Sequence, residues 1–462
     1  MVASHQKINN QRYVINKARQ FLSLLIGRVS FEKALFVLFL LVLPLQVRVF
    51  LRDVGGLAHN EWTQVWIWAS DITLLLFVVV AAAVLRPRIV WPRMATIFLF
   101  GFVAWSVASS ALALHPPLAI WTAVKLIEML VLFFVLRGAR ERISPRFLFV
   151  PLAAGAVIEA CIALVQFFLQ GAAGLGMLGE SPLAITASGV AKFTVQGTVL
   201  MRAYGLEPHP NILAAFLVLG LLSLLWLFIT LSSEVKMLHE RMIVPVMSMA
   251  VFVLVLGIAV TFSRTVFAFG GAALVSFFFL VFLHPALRKE FGKRALFVAA
   301  VTILSIGIVA TLFLPEVSAR GTLESHEQAV SLRNFYNRFA QEALRHTPLL
   351  GLGPGNFVEH LASPGDITGF QLVEWLLQPV HNIYLLIASE AGAPALFLFL
   401  LFLGGLFWQW IERISKAVGS QRLAHYAVFC GVITMLGAGF YDHFPWTLQQ
   451  GRLLLWLFLG FL

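Results

Sequence analysis

Apolar runs of about 20 residues, parted by short charged links, recur along the whole chain, and each is long enough to cross the hydrocarbon core of a bilayer. About 12 spans are predicted, at roughly 31–50, 65–85, 95–114, 118–136, 147–169, 211–231, 243–262, 265–283, 295–314, 382–408, 424–440 and 447–462. Within them the apolar positions are continuous or follow a helical period, and the short alternating strands of a membrane barrel are missing. The predicted fold class is an all-α polytopic membrane protein, because a helix satisfies its own backbone where water is scarce.

Two connections break this rhythm. Residues 170–210 are rich in glycine and small side chains and include a strand-like stretch, KFTVQGTVLMRAY. Residues 315–381 contain an amphipathic helix, LESHEQAVSLRNFYNRFAQEALRH, followed by TPLLGLGPGNF. Loops of this length in a compact protein are usually lids or binding elements, and a lid over a site at the outer membrane surface fits both. The predicted organisation is a segment over 1–30, helices one to nine over 31–314 with an outer loop at 170–210, a second outer loop over 315–381, and helices ten to twelve over 382–462. No internal repeat is visible, and the two halves differ in where the long loops fall, which counts against a transporter built from duplicated bundles.

Composition sharpens the class. Charged residues make up 12% of the chain and hydrophobic ones 60%, with a mean hydropathy of +0.89; soluble domains carry about 25% charged residues. The net charge of +11 lies mostly in the links on one side, among them Arg140, Arg142, Arg146, Arg288, Lys289 and Arg413. This bias predicts that side, and both termini, to be cytoplasmic. It calls for anionic lipid as neighbour and for no nucleic acid. Residues 8–29 look like a basic amphipathic helix on the inner leaflet, or else a frayed tail; a removable signal peptide is not indicated. Cys161 and Cys430 fall within spans, which argues against a disulfide framework or a thiolate metal site.

Candidate chemistry gathers on the predicted outer face. Arg202, His209 and Asn211 stand in MRAYGLEPHPN, Arg264 in VTFSRTVF, and Arg333 and Arg338 on the loop helix. His381, Asn382 and Tyr384 open the tenth span, Glu390 lies deeper in it, and Asp442, His443 and Arg452 sit near the last hairpin. A guanidinium forks onto phosphate oxygens, so two arginines from separate spans would suit a diphosphate at headgroup depth. The competing reading is that such arginines merely snorkel to lipid, and that His381 caps or anchors a helix. Lys125 and Glu128 are spaced to pair on one helix face, more simply as a buried ion pair than as a proton relay; Glu159 has no evident role. The loops show no Asp-x-Asp pair, zinc-spaced His/Cys cluster, phosphate-cradling Gly-rich loop or Gly-x-Ser-x-Gly elbow. Any catalysis would then neutralise a leaving group with arginine and without a metal or other cofactor.

Five pieces in order, over about residues 200–450, carry a resemblance: RAYGLEPHPN, TFSRT, RNFYNRFAQEALRHTPLLGLGPGNF, HNIYLLIASEAG and YDHFPWTLQQG. The sequence resembles the O-antigen ligase and polymerase superfamily of bacterial membrane glycosyltransferases. It departs from that pattern on the loop helix, where Asn337 stands in place of an aromatic and Tyr336 precedes it. The resemblance implies a GT-C-like fold in the bacterial inner membrane and an active site facing the periplasm. There a glycan would pass from undecaprenyl diphosphate to a hydroxyl of a glycolipid such as lipid A–core, or of a lipid-linked glycan. By matching position, Arg202 and Arg264 would hold the diphosphate and His381 would deprotonate or orient the hydroxyl. Arg333 would touch phosphate or glycan. Accessory roles would fall to His209, Asn211, Asn382, Tyr384, Glu390, Asp442 and His443, with Glu390 reaching the imidazole only if its helix bends back. A single displacement would invert the anomeric centre, since no second carboxylate is paired as a nucleophile. Ligation is the preferred subtype, polymerisation and protein O-glycosylation follow, and a flippase of lipid-linked sugars is the alternative from another class.

Overall fold

The computed structural model describes residues 29–57, 60–85, 94–231, 237–321, 328–363 and 376–462. The segment expected over residues 1–30 lies outside them except for its last two residues. The described chain is a nearly all-α fold with two short β-ribbons. Among the described residues, seven helices are long and apolar enough to cross a membrane: α3 (Met94–Ser109, extended to Leu112 by a 3-10 turn), α4 (Pro116–Ala139), α5 (Pro145–Leu169), α6 (Pro210–Leu231), α8 (Arg264–Leu283), α9 (Pro285–Leu312) and α13 (Ile383–Lys416). The chain is a multi-pass membrane protein. The other five expected spans fall on shorter or less apolar helices: α1 (Phe31–Val42), α2 (Ala69–Val84), α7 (Met237–Val260), α14 (Gly419–Ala438) and α16 (Gln449–Phe461).

Helix α6 is the post around which the others stand. It is apolar on every side, and all 22 of its residues are buried, as a helix without a polar stripe requires. It packs against α5, α7, α8, α9, α14 and α16.

The first two expected spans need correction. Helix α1 stops at Val42, just before Pro44, and residues up to 50 do not continue it. Instead β1 (Arg48–Asp53) pairs antiparallel with β2 (Gln64–Trp68) in a two-stranded ribbon. Both segments are rich in β-branched and aromatic residues, and β1 carries Arg48, Arg52 and Asp53, which an apolar span would not bury. A second ribbon, β3 (Lys192–Val195) with β4 (Thr198–Met201), forms where the strand-like stretch is predicted.

The ribbons and the long connections meet at one end of the bundle. Gln46 donates to Ser181 and to the Leu206 carbonyl, Gly56 N donates to Glu359, and His115 N donates to Asn356. At the other end Arg142 donates to the Leu85 carbonyl and Arg422 pairs with His284. Helix α11 (Gln328–His346), after the short α10 (Leu314–Gly321), covers the first end, followed by the short α12 (Phe357–Ala362); the last hairpin holds the short α15 (Phe444–Thr447).

Helix α13 is broken at Gly392, whose φ of 84° lies in the left-handed region. The break frees carbonyls that the GLG turn then satisfies: Leu352 N donates to Ser389 O (2.9 Å) and Gly353 N to Glu390 O (2.8 Å), while Ala393 N donates to Pro348 O (2.9 Å). A Cβ at Gly392 would collide with the Leu349 carbonyl. Gly392→Ala should therefore cost about 2–5 kcal/mol, from backbone strain and forced separation of the turn together. Thermal unfolding of the purified variant checks this, and a Tm matching the parent would show that the contact is dispensable.

Candidate active site

The RAYG turn is held from below by a single buried amide. Gln166, on α5, accepts from Tyr204 N (3.0 Å) and Gly205 N (2.8 Å) through one atom and donates to the Gly205 carbonyl (2.8 Å) and Glu180 (2.7 Å) through the other. Glu159, unexplained in the sequence, accepts from Leu206 N at 2.7 Å in the same turn. With the backbone fixed there, Arg202 follows β4 directly into the interior and is 7% exposed.

Arg202 reaches two partners. Its Nε donates to the Thr261 carbonyl (2.6 Å) and one Nη to Asn211 Oδ1 (2.6 Å). Asn211 is the hub: its Oδ1 also accepts from Ser263 Oγ (2.8 Å), and its Nδ2 donates to Asp442 Oδ2 (2.6 Å). Four chain segments thus meet on one amide, and a missing partner would strand buried polar atoms at about 1–3 kcal/mol each. Thr261 and Ser263 belong to a tight turn between α7 and α8, where the buried Phe262 holds a φ of 47°, uncommon for a residue with a side chain. Arg264 opens α8 straight after that turn.

Arg202, Asn211, Arg264 and Asp442 line one cavity of about 850 Å³ at the ribbon end of the bundle. Its walls include five cations, Lys192, Arg202, Arg264, Arg320 and Arg333, against two carboxylates, Glu61 and Asp442. His209, His381 and His443 line it too. The rings of His381 and His443 meet edge to face at 4.8 Å between centroids, and Tyr336 lies parallel to His381 at 5.6 Å. Tyr336 is fixed in turn by donating its hydroxyl to the Leu376 carbonyl (2.7 Å). The departure at Asn337 therefore leaves the site its aromatic: Tyr336, three residues after Arg333, faces the cavity beside it.

Burial, reinforced by the Arg202 charge, pushes His209 down to about 3, and burial with a neighbouring His381 does the same to His443. Burial also lowers His381, although Asp442 works against it. All three imidazoles are thus neutral near pH 7, the form that can accept a proton. Burial and then Arg320 lower Arg202 to about 9, which leaves it charged. Burial alone would raise Asp442, but the surrounding imidazoles and the Asn211 hydrogen bond outweigh it and hold the carboxyl below its usual range. Glu207, buried beside Glu159, is raised well above the carboxylate range, first by burial and then by that neighbour.

Of the residues singled out in the sequence, Arg202, His209, Asn211, Arg264, Arg333, His381, Asp442 and His443 line this cavity. Asn382, Tyr384 and Glu390 do not. Asn382 caps α13, its side chain accepting from Tyr384 N (2.9 Å) and Leu385 N (3.0 Å). Tyr384 donates to the Leu436 carbonyl (2.9 Å). Glu390 lies about two turns into the helix and accepts from Phe357 N (3.3 Å), so it serves the N-terminus of α12 and not the imidazole. Lys125 and Glu128 do pair, at 2.9 Å, and Asp71 joins them at 2.8 Å from the same ammonium. Sequence reasoning missed Gln166, Ser263, Lys192 and Arg320. A lone glutamine inside an apolar span was the available signal for the first. Among the described residues no group of three or more His, Cys, Asp or Glu is placed to hold a metal ion.

Residues 249–400 match the family model described as O-antigen ligase, which supports an O-antigen ligase-like family for this chain. The matched stretch carries Arg264, Arg333 and His381. No curated protein matches the chain.

Proposed function

We propose, from the premise of an O-antigen ligase-like family, that this membrane protein transfers a glycan from a lipid diphosphate to an acceptor hydroxyl. One observation carries the reading: Arg202, Arg264 and Arg333 share a single cavity with His381. The arginines bind the diphosphate oxygens of an undecaprenyl-diphosphate donor. Neutral His381 takes the proton of the acceptor hydroxyl as its oxygen attacks the anomeric carbon. The bond from that carbon to the diphosphate oxygen breaks, and the lipid diphosphate leaves with its charge held by guanidinium. A diphosphate is already a good leaving group, so charge stabilisation is the larger task and a general acid is dispensable. Its negative charge also offsets the positive cavity and makes the imidazole a better base than in the empty site.

In this reading the cavity end faces the periplasm, the basic end and both termini face the cytoplasm, and no metal takes part. The preferred acceptor is a lipid A–core glycolipid. Transfer by purified protein in lipid nanodiscs, with undecaprenyl-diphosphate glycan and either lipid A–core or a lipid-linked glycan, tests it. Ligation gives one shifted band on lipid A–core and survives EDTA. A ladder on the lipid-linked acceptor would assign polymerisation instead. Donor crossing a vesicle membrane with no transfer to either acceptor would overturn the enzyme reading in favour of a flippase.

A further inference from the structure

A second, smaller cavity of about 130 Å³ abuts the first. Five tryptophans line it, Trp62, Trp66, Trp68, Trp121 and Trp446, of the 12 in the chain. The β1–β2 ribbon accounts for three of its wall positions by simple alternation. Gln64, Trp66 and Trp68 are spaced by two along β2, so they share one face of the ribbon, and all three line the cavity. Arg48, paired opposite Trp68, lays its guanidinium 4.1 Å from the Trp66 ring centre and 4.8 Å from that of Trp68. The bland account of such residues is a membrane-interface belt, whose rings point at lipid. Trp408, 66% exposed on α13, fits that account. The five do not: Trp68 is 7% exposed, the others are half-buried, and they converge on one hollow among Gln64, Thr122, Lys125 and Gln449.

Flat aromatic walls with a few polar groups between them suit a ligand with apolar C–H faces and a rim of hydroxyls. A sugar ring has that chemistry; an acyl chain has no use for the amides and charges. Position supplies the rest. Glu61, Trp62 and Leu448 line both cavities, whereas Arg202, Arg264 and Arg333 line only the larger one. Trp62 touches the His443 ring edge to face at 5.0 Å, His443 touches His381, and Pro379, two residues before His381, is also in the tryptophan wall.

We infer that the tryptophan-lined cavity is a subsite for a saccharide ring of the acceptor, which it presents to His381 while the arginines hold the donor in the neighbouring chamber. The inference rests on the transferase reading for the ring's role as acceptor, but not for its binding. The test uses the full-length protein in nanodiscs and the deacylated oligosaccharide of a lipid A–core glycolipid, titrated by calorimetry. Trp66→Ala and Trp121→Ala should each weaken its binding about tenfold or more, with Trp66→Phe close to the parent and Trp408→Ala unchanged. Undecaprenyl-diphosphate glycan should bind all four as it binds the parent. In the transfer assay both alanine variants should raise the acceptor KM and leave kcat within about threefold. Thermal melts establish that each is folded, and if Trp66→Ala is not, Trp121→Ala decides alone. Equal oligosaccharide affinity in folded alanine variants, or a parent that binds the intact glycolipid but not its deacylated glycan, would overturn the subsite. Saccharide binding that depends on the tryptophans, in a protein that transfers nothing, would keep the subsite and sink the transferase reading.

Discussion

His381→Ala should retain the donor and lose transfer, by about 10²–10⁴-fold in kcat, the range that a positioned general base supplies. The side chain donates locally, to the Pro379 carbonyl two residues back, so alanine disturbs little elsewhere in the site. Its ring is kept in place by Tyr336 on one face and His443 at its edge. Donor affinity belongs to the arginines, so Kd for undecaprenyl-diphosphate glycan should stay within about twofold of the parent. The single-turnover rate and the donor Kd, measured on one preparation, separate the two effects. A variant that turns over near the parental rate would remove His381 as the base and turn attention to His443, which lines the same cavity. A variant that no longer binds donor would instead mean that the imidazole shapes the diphosphate site.

Replacing each arginine by lysine should produce two different outcomes. Arg264 opens α8 on the cavity wall and is half-buried. Lysine keeps the charge there but not the planar fork, so Arg264→Lys should weaken donor binding about tenfold or more and lower Tm less than the change at the buried Arg202. Arg202 is buried and spends its Nε and an Nη on Thr261 and Asn211. An ammonium cannot span both, so Arg202→Lys should lower stability by about 1–3 kcal/mol as well as impair the donor. Thermal melts alongside donor titrations check the pair. Equal Tm losses in both variants would contradict the division between a binding and a supporting arginine, and an undiminished donor affinity in Arg264→Lys would remove it from the diphosphate site.

Much of the site was legible in the chain because polar groups at a membrane boundary are scarce and costly, so Arg202, Arg264, His381 and Asp442 stood out against apolar runs. Asn382, Tyr384 and Glu390 stood out equally, yet face elsewhere. Residues on a helix turn by about 100° each, so neighbours in sequence share a wall only at three- or four-residue spacing. The loop helix shows the same rule from the other side: Arg333 and Tyr336 share the cavity, while Asn337 does not line it. The ribbon was misread for a different reason. A run such as QVWIW is as apolar as a span, and only its pairing with RVFLRD shows that it is a strand.

By composition and periodicity alone, the chain had to be a bundle of membrane helices with its chemistry at the loops, since bilayer thickness and the cost of unpaired backbone leave few other solutions. Which polar residues meet was decided by tertiary structure. Asn211 gathers Arg202, Ser263 and Asp442 from three other segments, and the tryptophan wall draws on the ribbon, α4 and the last hairpin. Such convergence depends on side-chain direction and on the packing of elements far apart in sequence, and neither is written in any local pattern.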